Sequence, residues 1–485
     1  MAGVVTTELF IDGGWRSAST ASTEPVINPA NGEHLAAMGV ADDADVDAAV
    51  RAARAALDDG PWSTLSGFDR RRLLIRFAGE VRAAAQTIGE INTDDVGMPL
   101  LFTVGQAAYV ADYIEYFAGW ADKLAGEAPV MPQTSTLDYT IRHPVGVVAA
   151  VVPWNIPVFI SAAKLAPALA AGCTVVLKPS ELAPLAPLEL ARCAERAELP
   201  AGVVNVVTGL AGTGRALVTH PDVDMITFTG GTDLGARIGS EAAAAHKRFT
   251  LELGGKSANI VFADADLDAA ANGVCQGFLV NTGQQCTAGS RVLVQRPVYD
   301  ALIEKVVEYS ALYTLGNPRH DGTLVGPLIS EAHLERVLGF VDEAASAGRV
   351  VLGGERLGGD LADGYFVSPT VVADADLTSR LCTEEIFGPV IAVVPFDQPA
   401  DAVRIANDTR FGLVAGVWSE NIHTAHWTAR RLEAGTVWIN TYLGVHPSSP
   451  FGGHGASGVG REGGLESVRG FTEITNVMAE IKRPR

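Results

Sequence analysis

The sequence predicts an α/β protein with two domains built on parallel sheets, and two series of alternating segments carry that prediction. In the first series, short apolar runs occur at 147–152, 174–177, 204–207 and 225–229. Helix-like stretches alternate with these runs at 160–171, 185–198, 211–219 and 232–245. Nearly continuous Val and Ile are typical of strands that are buried on both faces of a parallel sheet. We therefore expect a first sheet with helices on both of its faces.

The second series begins near residue 253 and predicts a second α/β domain. Its expected strands are 258–262, 290–295, 390–395, 414–418 and 436–439, and its expected helices are 266–280, 298–313 and 330–347. A chain of 485 residues has room for two to four domains at roughly 100–200 residues each. Upstream, residues 43–58 and 68–90 have amphipathic helical patterns, and the polar stretch 126–143 predicts a hairpin or an extended excursion.

Composition excludes several classes of protein. Hydrophobic residues make up 48% and charged residues 19%, which excludes intrinsic disorder. The net charge is −20 and the sequence contains no basic run, so we expect no nucleic-acid partner. Residues 144–163 carry no charge, but Pro153, Asn155 and Pro157 interrupt them, which favours a buried strand that ends in a polar turn over a membrane span.

The cysteines and the amino terminus indicate a cytoplasmic location. The five cysteines form no CxxC pair, as expected for reduced thiols and not for a disulfide framework or a zinc site. The first residues, MAGVVTTELF, lack the basic and apolar regions of an export signal. We therefore predict a cytoplasmic protein without a metal site.

Glycine-rich turns follow several strands of the first series. The segments 228–235 and 209–214 each join a strand to a helix, and such turns let the backbone and a helix N-terminus approach a phosphate. A plain tight turn explains these glycines equally well. Two motifs do not fit their usual context. The GxGxxG at 458–463 follows no strand, and the GGKS at 254–257 lacks the first glycine of an ATP-binding loop.

Two reactive side chains stand in unusual surroundings. Cys286 has small and polar neighbours in Asn281–Thr287, whereas most cysteines are inert core residues. Glu252 lies inside an apolar strand that ends in glycines, where an unpaired acid requires a reason. A buried glutamate with a raised pKa is a good general base near neutral pH.

Six motifs in order resemble the aldehyde dehydrogenase superfamily over nearly the whole chain. They are Pro153-Trp154-Asn155, Lys178-Pro179-Ser180-Glu181, Phe228-Thr229-Gly230, Glu252-Leu253-Gly254-Gly255-Lys256, Gly283-Gln284-Gln285-Cys286 and Glu385-Ile386-Phe387-Gly388-Pro389. The resemblance implies an NAD-dependent, hydrolytic enzyme that oxidises a small aldehyde to its acid. It also implies a Rossmann-like NAD-binding domain, a catalytic α/β domain and a small bridging sheet for oligomerisation.

The same resemblance implies a role for particular residues. Cys286 would be the nucleophile, Glu252 the general base and Asn155 the side-chain oxyanion donor. The residues implied to hold NAD are Val152, Pro153, Trp154, Lys178, Ser180, Glu181, Gly212, Gly230, Gly231, Leu253, Glu385 and Phe387. Gly231 departs from the serine that relatives commonly have, which removes a hydroxyl group and keeps the backbone donor.

The positions that match the family's aldehyde tunnel are apolar. They are Ile156, Phe159, Ile160, Ala163, Val280, Leu443, Val445 and Phe451. Because none is a cation, semialdehydes that bear a carboxylate are disfavoured, and the aromatic cage that a quaternary ammonium requires is mostly missing. Aliphatic, terpenoid and aromatic aldehydes remain.

Two other functions stay open at this point. In an acylating or phosphorylating relative, coenzyme A or phosphate would resolve the thioester, and acylating relatives commonly lack the carboxylate that stands here at Glu252. A non-catalytic structural protein could also keep the fold alone, although Cys286, Glu252 and Asn155 are intact.

The resemblance also implies an organisation of domains. The NAD-binding domain would comprise 1–124 and 146–252, and the catalytic domain 253–455. The oligomerisation segments would be 125–145 and 471–483. Exposed strand edges require a cover, so we expect a homo-oligomer, either a dimer or a tetramer.

Overall fold

The computed structural model describes residues 6–133 and 135–481. The amino-terminal part contributes two short strand pairs, four helices and one long strand. In chain order these elements are β1 (Leu9–Ile11), β2 (Gly14–Arg16), β3 (Thr23–Ile27), β4 (His34–Gly39), α1 (Asp43–Asp58), α2 (Gly67–Ala83), α3 (Ala85–Val96), α4 (Leu100–Ala118) and β5 (Thr136–Pro144). The amphipathic stretch 68–90 is divided between α2 and α3, because the backbone leaves the helical conformation at Ala84.

The first alternating series forms the expected parallel sheet. Its elements are β6 (Val147–Val151), α5 (Pro157–Ala171), β7 (Thr174–Lys178), α6 (Leu185–Arg196), β8 (Val204–Val206), α7 (Ala211–Thr219), β9 (Met225–Thr229), α8 (Thr232–Ala244) and β10 (Arg248–Glu252). Strands β8, β7, β6, β9 and β10 are parallel neighbours in that order. Strand β1 joins the β8 edge in the antiparallel direction.

The second series forms a second sheet. Its elements are β11 (Ala258–Val261), α9 (Leu267–Leu279), β12 (Arg291–Gln295), α10 (Tyr299–Ser310), α11 (Glu331–Ala347), β13 (Arg349–Leu352), β14 (Thr370–Ala373), α12 (Arg380–Thr383), β15 (Val390–Phe396), α13 (Pro399–Asn407), β16 (Phe411–Gly412), β17 (Val414–Trp418), α14 (Ile422–Ala429) and β18 (Thr436–Ile439). The strand order is β13-β14-β15-β12-β11-β17-β18, and only the β13–β14 pair is antiparallel.

The last part of the chain returns to earlier elements. It comprises β19 (His454–Gly455), β20 (Gly458–Val459), α15 (Gly464–Gly470) and β21 (Thr472–Glu480). Strand β20 pairs with β10 and so completes the first sheet. Strand β21 pairs with all nine residues of β5, so residues 136–144 are extended and pair with a strand that is distant in sequence. Residues 134, 482 and 483 of the expected oligomerisation segments lie outside the described residues.

Both faces of the first sheet are buried, which explains its unbroken apolar strands. Along β6, Val148 and Ala150 pack into one hydrophobic cluster with α5, whereas Val147 and Ala149 pack into another cluster on the opposite face. Because side chains alternate between the faces of a strand, a strand buried on both faces is apolar at every position. No helix in the described residues is long and apolar enough to cross a membrane.

Candidate active site

The loop after α9 holds Cys286 in a strained backbone. Asn281, Thr282 and Gly283 have φ angles of 52°, 56° and 70°. Positive φ is unfavourable for residues with a side chain, so surrounding contacts must hold this loop. The Asn281 side-chain amide donates to the carbonyl of Asn155 at 2.9 Å, and Cys286 itself stays partly exposed. The loop therefore presents a thiol from a fixed backbone.

Asn155 lies between β6 and α5, directly against this loop. It is 3% exposed, and its Nδ2 donates to the Gln284 carbonyl at 2.9 Å. A side-chain amide is a neutral hydrogen-bond donor. Next to a reacting carbonyl group, such a donor would stabilise a developing negative charge on oxygen.

Glu252 ends β10 as a buried acid. It is 4% exposed, and neither carboxyl oxygen has a hydrogen-bond partner among the described residues. A Cβ atom at Gly452 would come within 2.5 Å of Glu252 Oε1, so only glycine leaves this space open. Burial raises the pKa of Glu252 well above its usual value, and the Glu462 carboxylate raises it further. Burial therefore favours the protonated form of Glu252 more than it would in an exposed carboxyl group.

A buried ion pair lies beside Glu252. Lys164, whose side chain is 0% exposed, contacts Glu462 Oε1 at 2.6 Å and donates to Thr227 Oγ1 at 3.0 Å. Lys164 lowers the pKa of Glu252 and thereby opposes the effect of burial. The proton affinity of Glu252 thus depends on a cation and an anion that neutralise each other.

The Cys286 thiol holds its proton. Burial raises its pKa, and the carboxylates of Glu385 and Glu252 raise it further. Glu385 lies against the Glu252 strand end, where its Oε1 accepts a hydrogen bond from the Gly255 N–H at 3.0 Å. Burial raises the pKa of Glu385 as well. These surroundings favour the thiol form of Cys286 over the thiolate.

The other cysteines differ from Cys286 in exposure. Cys173, Cys193, Cys275 and Cys382 are buried free thiols, whereas Cys286 is only partly buried. For Cys173 and Cys193, burial raises the pKa to about 12. These four side chains fit the inert packing role that a lone cysteine usually has.

Unpartnered polar atoms gather where the first sheet meets α8. The hydroxyl groups of Thr229 and Thr232 are buried and have no hydrogen-bond partner among the described residues. Gly231 precedes α8 directly, and a Cβ atom there would meet nothing within 4 Å. Open space, free hydroxyl groups and a helix N-terminus are the features that a pyrophosphate group requires.

On the other side of β6, Lys178 ends β7 and Glu181 follows it. The buried Lys178 Nζ lies 3.4 Å from a Glu181 carboxylate oxygen. Burial lowers the pKa of Lys178. Nearby, Ser180 accepts the Leu182 N–H through Oγ, so its hydroxyl hydrogen is still available to a ligand. These groups fit the hydroxyl groups of a ribose.

An aromatic cluster lies beside the Asn155 turn. The Trp154 ring centroid is 5.3 Å from those of Phe387 and His333. His333 Nε2 lies 2.7 Å from the Phe387 carbonyl, and Phe387 itself has a φ of 62°. Burial lowers the pKa of His333 to about 4, so this ring is neutral and donates to the carbonyl. His333 thus holds Phe387 in its strained conformation.

Comparison with known proteins identifies the family. The sequence profile described as the aldehyde dehydrogenase family matches residues 15–477. The chain belongs to the aldehyde dehydrogenase family. It is 39% identical to aldehyde dehydrogenase family 2 member C4 of Arabidopsis thaliana, over 98% of this chain and 95% of that protein. The predicted resemblance and the enzyme class are thereby confirmed.

Solved structures of aldehyde dehydrogenases have the same fold. The NAD-dependent enzyme of Sinorhizobium meliloti matches with a TM-score of 0.96 and 40% identity, over 99% of this chain and 96% of that one. The NAD⁺ complex of the Bacillus cereus enzyme matches with a TM-score of 0.96 and 40% identity, over 98% of this chain and 97% of that one. The predicted α/β fold class is confirmed.

The remaining residues expected at the aldehyde dehydrogenase cofactor site have different surroundings. Val152 is buried and its N–H donates to the Lys178 carbonyl at 3.1 Å, while Pro153 is half-buried beside it. Gly212 lies exposed at the start of α7, with open space where a Cβ atom would be. In contrast, Gly230 is crowded by the Phe228 ring, and Leu253 packs on Gly235, so both act through their backbone or their packing.

The expected substrate residues come from three parts of the chain. Leu443 and Phe451 pack against the same hydrophobic cluster as Cys286, while Ile156 and Ile160 belong to the cluster around α5. Val280 begins the Cys286 loop and is half-buried. Val445 is 40% exposed, and its carbonyl accepts the Tyr109 hydroxyl at 3.0 Å. Their roles as substrate contacts remain predictions.

Sequence reasoning missed three residues next to the aldehyde dehydrogenase site. They are Lys164, Glu462 and His333, which adjust Glu252 or hold Phe387. Lys164 had a signal, because it is the one charged residue in the apolar helix α5, and a buried cation requires a partner. Nothing in the sequence around His333 indicated its contact with Phe387.

Proposed function

We propose that this aldehyde dehydrogenase oxidises apolar aldehydes to carboxylic acids with NAD, through a thioester on Cys286 that water resolves. The single observation that carries the proposal is Glu252, a buried carboxyl group without a hydrogen-bond partner in the described residues, beside the Cys286 loop. A group that only stabilised the fold would be paired. An unpaired one is available to exchange protons with a thiol and with water.

NAD fits the groups that the first sheet presents. The free hydroxyl groups of Thr229 and Thr232 and the open space at Gly231 suit a pyrophosphate, while Lys178 and Glu181 suit the adenosine ribose. Glu385 and Phe387 would position the nicotinamide end. When bound, NAD accepts a hydride. The NAD⁺ complex of the Bacillus cereus relative supports this choice of cofactor.

The first half of the mechanism belongs to Cys286 and Asn155. The Cys286 thiol gives up its proton to solvent water, and the sulfur forms a bond to the aldehyde carbon. The carbonyl oxygen becomes an alkoxide, and the Asn155 Nδ2–H and the Cys286 N–H donate hydrogen bonds to it. When this alkoxide reforms its double bond, the carbon loses hydride and a thioester remains on Cys286.

Glu252 carries the second half. Its carboxylate accepts a proton from water, and the resulting hydroxide oxygen bonds to the thioester carbon. The carbon–sulfur bond then breaks, which releases the acid and returns Cys286 as a thiolate. Because burial raises the pKa of Glu252 well above normal, the deprotonated base is stronger than an ordinary carboxylate.

The substrate class follows from the apolar side chains around this site. Leu443 and Phe451 pack with Cys286, and the expected tunnel positions contain no charged group. Among apolar side chains the carboxylate of a semialdehyde would have no partner. Burying an unpaired charge costs roughly several kcal/mol of binding free energy, so such substrates are disfavoured. Aliphatic, terpenoid and aromatic aldehydes therefore remain the proposed substrates.

A substrate panel tests the proposed function. We expect kcat/KM with NAD to be highest for hexanal or benzaldehyde and at least tenfold lower for succinic semialdehyde and betaine aldehyde. Free acid should form whether or not coenzyme A or phosphate is present. If product formation required coenzyme A or phosphate, the enzyme would be an acylating or phosphorylating one and the role of Glu252 would be wrong.

We also propose that the β5/β21 sheet joins subunits into a homo-oligomer. Ile474 and Met478 on β21 are 54% and 59% exposed, and Leu137 on β5 is 45% exposed. A two-stranded sheet with exposed apolar side chains and two open edges is a surface that pairing would cover. Light scattering of the full chain would distinguish a monomer, a dimer and a tetramer. The cytoplasmic location remains a proposal that rests on the reduced thiols.

A further inference from the structure

A cleft that includes Ala171, the last residue of α5, shares no residue with the active site. It has a volume of about 380 Å³, and it lies between the start of α2, the segment after α4 and the β5/β21 pair. We call it the arm cleft and define it by Phe68, Arg70, Leu124, Arg142 and Thr472. None of its lining residues belongs to the active site described above.

Two arginines in the arm cleft have no acidic partner. In residues 6–133 and 135–481, no carboxylate lies within 4.0 Å of Arg70 or Arg142. Arg142 donates only to the neutral Thr472 hydroxyl at 3.0 Å. Arg70 donates to the Leu65 carbonyl at 3.1 Å, while its Nε is buried without a partner.

The carboxylate that lines the arm cleft does not neutralise these arginines. Asp122 contacts Arg71 at 3.1 Å and Lys123 at 3.0 Å, and it forms no ion pair with Arg70 or Arg142 among the described residues. The hydrogen bonds from Lys123 and Arg71 lower the pKa of Asp122, so it is charged and already paired. The guanidinium groups of Arg70 and Arg142 therefore stay available to a ligand.

A helix N-terminus adds to the positive electrostatic potential of the arm cleft. Gly67 and Phe68 are the first two residues of α2, and both line the arm cleft. The first N–H groups of an α-helix have no acceptor within the helix and carry its positive end. The Ser66 cap takes up only the Asp69 N–H. Cationic side chains and helix N–H groups thus surround one space.

Apolar residues also line the arm cleft. The Phe68 side chain is 63% exposed, and Leu124, Pro144 and Ala171 also line the cleft. Pockets of roughly 300–1,000 Å³ hold small organic ligands, with apolar walls and a few polar anchors. We propose that the arm cleft is a second binding site, for a small carboxylate with an apolar body. Arg70 and Arg142 would bind its carboxylate and Phe68 its apolar part.

The test uses 4-bromobenzoate with the full-length, assembled protein. Isothermal titration should detect binding, and anomalous scattering from a crystal soaked in the compound should place the bromine beside Phe68. In Arg142→Gln, binding should weaken about tenfold or more, because a charge-assisted hydrogen bond is lost. Arg142→Lys should keep part of the affinity, since it keeps the charge but loses the two-pronged geometry.

Controls separate the arm cleft from other sites. Arg76 also lies on α2, but it pairs with Glu198 on the surface, so Arg76→Gln should bind as the unchanged protein does. Arg70→Gln should resemble Arg142→Gln, and Arg142→Gln alone decides if the Arg70 variant fails to fold. If inorganic phosphate bound with equal affinity, the proposed contact between Phe68 and the apolar part of the ligand would be refuted. A bromine peak only near Cys286, or an unchanged Arg142→Gln affinity, would overturn the whole proposal.

Discussion

Asn155 donates its side-chain amide to the carbonyl of Gln284 across 2.9 Å, two residues before Cys286. The return contact comes from Asn281, whose Nδ2 donates to the Asn155 carbonyl at 2.9 Å. These two hydrogen bonds join a turn of the first sheet to a loop of the second. The reciprocal contact therefore fixes the position of Asn155 relative to the Cys286 loop.

Asn155→Ala tests the donor. We expect kcat/KM to fall roughly 10²–10³-fold, because one oxyanion donor is lost. NAD affinity, measured by fluorescence titration, should not change. Thermal unfolding should be checked as well, since the Gln284 carbonyl loses its partner. A loss below tenfold in a folded variant would remove Asn155 from the reaction.

Cys286→Ala tests the nucleophile. Oxidation should stop while NAD still binds, because the proposed cofactor contacts lie on other residues. Cys275→Ala is the matched control, since Cys275 is buried and its Sγ lies 3.5 Å from the Ser310 hydroxyl. That variant should lose stability and keep turnover. The opposite pattern in two folded variants would refute the assignment.

Glu252→Gln separates the two halves of the reaction. The amide cannot take a proton, so thioester hydrolysis should slow by about 10²–10⁴-fold while hydride transfer continues. Rapid mixing with NAD and a good aldehyde should give a burst approaching one NADH per active subunit, followed by a slow steady state. The burst will be smaller if Glu252 also deprotonates Cys286.

Glu385→Gln serves as the comparison for that burst. Its carboxylate would position the nicotinamide ribose, so hydride transfer itself should slow and no burst should precede the steady state. Hydrolysis of a preformed thioester at the wild-type rate in Glu252→Gln would mean that another group is the base.

Glu462→Gln tests the control of the Glu252 pKa. The Glu462 carboxylate raises that pKa, and Lys164 lowers it, so removing the carboxylate should lower the pKa of Glu252. The base works when deprotonated, so activity rises as pH rises through this pKa. The acidic limb of the kcat profile should therefore move to lower pH.

The control for that shift is Glu466→Gln, because Glu466 is exposed and pairs with Arg469 on α15. It should leave the profile unchanged. Glu462→Gln should also lower thermal stability, since it leaves the buried Lys164 without its anion. A limb that moved to higher pH would contradict the electrostatic argument.

Glu181→Gln tests the preference for NAD. The Glu181 carboxylate should repel the 2′-phosphate of NADP, so the unchanged protein should have a higher kcat/KM with NAD. Without that charge, the Lys178 cation 3.4 Å away would be free to attract the phosphate, and the ratio should shift toward NADP. Glu189→Gln, which removes a carboxylate on α6 that pairs with Arg192, should not change it. An unchanged ratio in Glu181→Gln would refute the role.

The sheets were predictable from sequence where both faces of a strand are buried. The runs at 147–152 and 225–229 are apolar throughout, and the structure has strands at Val147–Val151 and Met225–Thr229. Short strands such as β1 and β20 were not predicted, because two or three residues carry no periodic signal. The domain boundaries at 124, 146, 253 and 455 remain predictions.

The residues of the candidate site were likewise predictable only where the local sequence carries a signal. Cys286 and Glu252 were found because each is a reactive side chain in an unusual local setting. The pairing of Lys164 with Glu462 depends on a contact between residues almost three hundred positions apart, so no local pattern reveals it. The positive φ of Thr282 was equally hidden, since a threonine there contradicts its own preference and only the tertiary contacts hold it.

The pairing of Gly458 with Glu252 has a consequence for synthesis of the chain on the ribosome. Strand β10 emerges first, and its partner β20 emerges roughly 10–40 s later at about 5–20 residues per second. During that interval the strand that ends in Glu252, the proposed base, has an open edge with which other nascent chains can pair. Slowing translation between these two strands should therefore increase aggregation of this enzyme, and supplying a chaperone should reverse the effect.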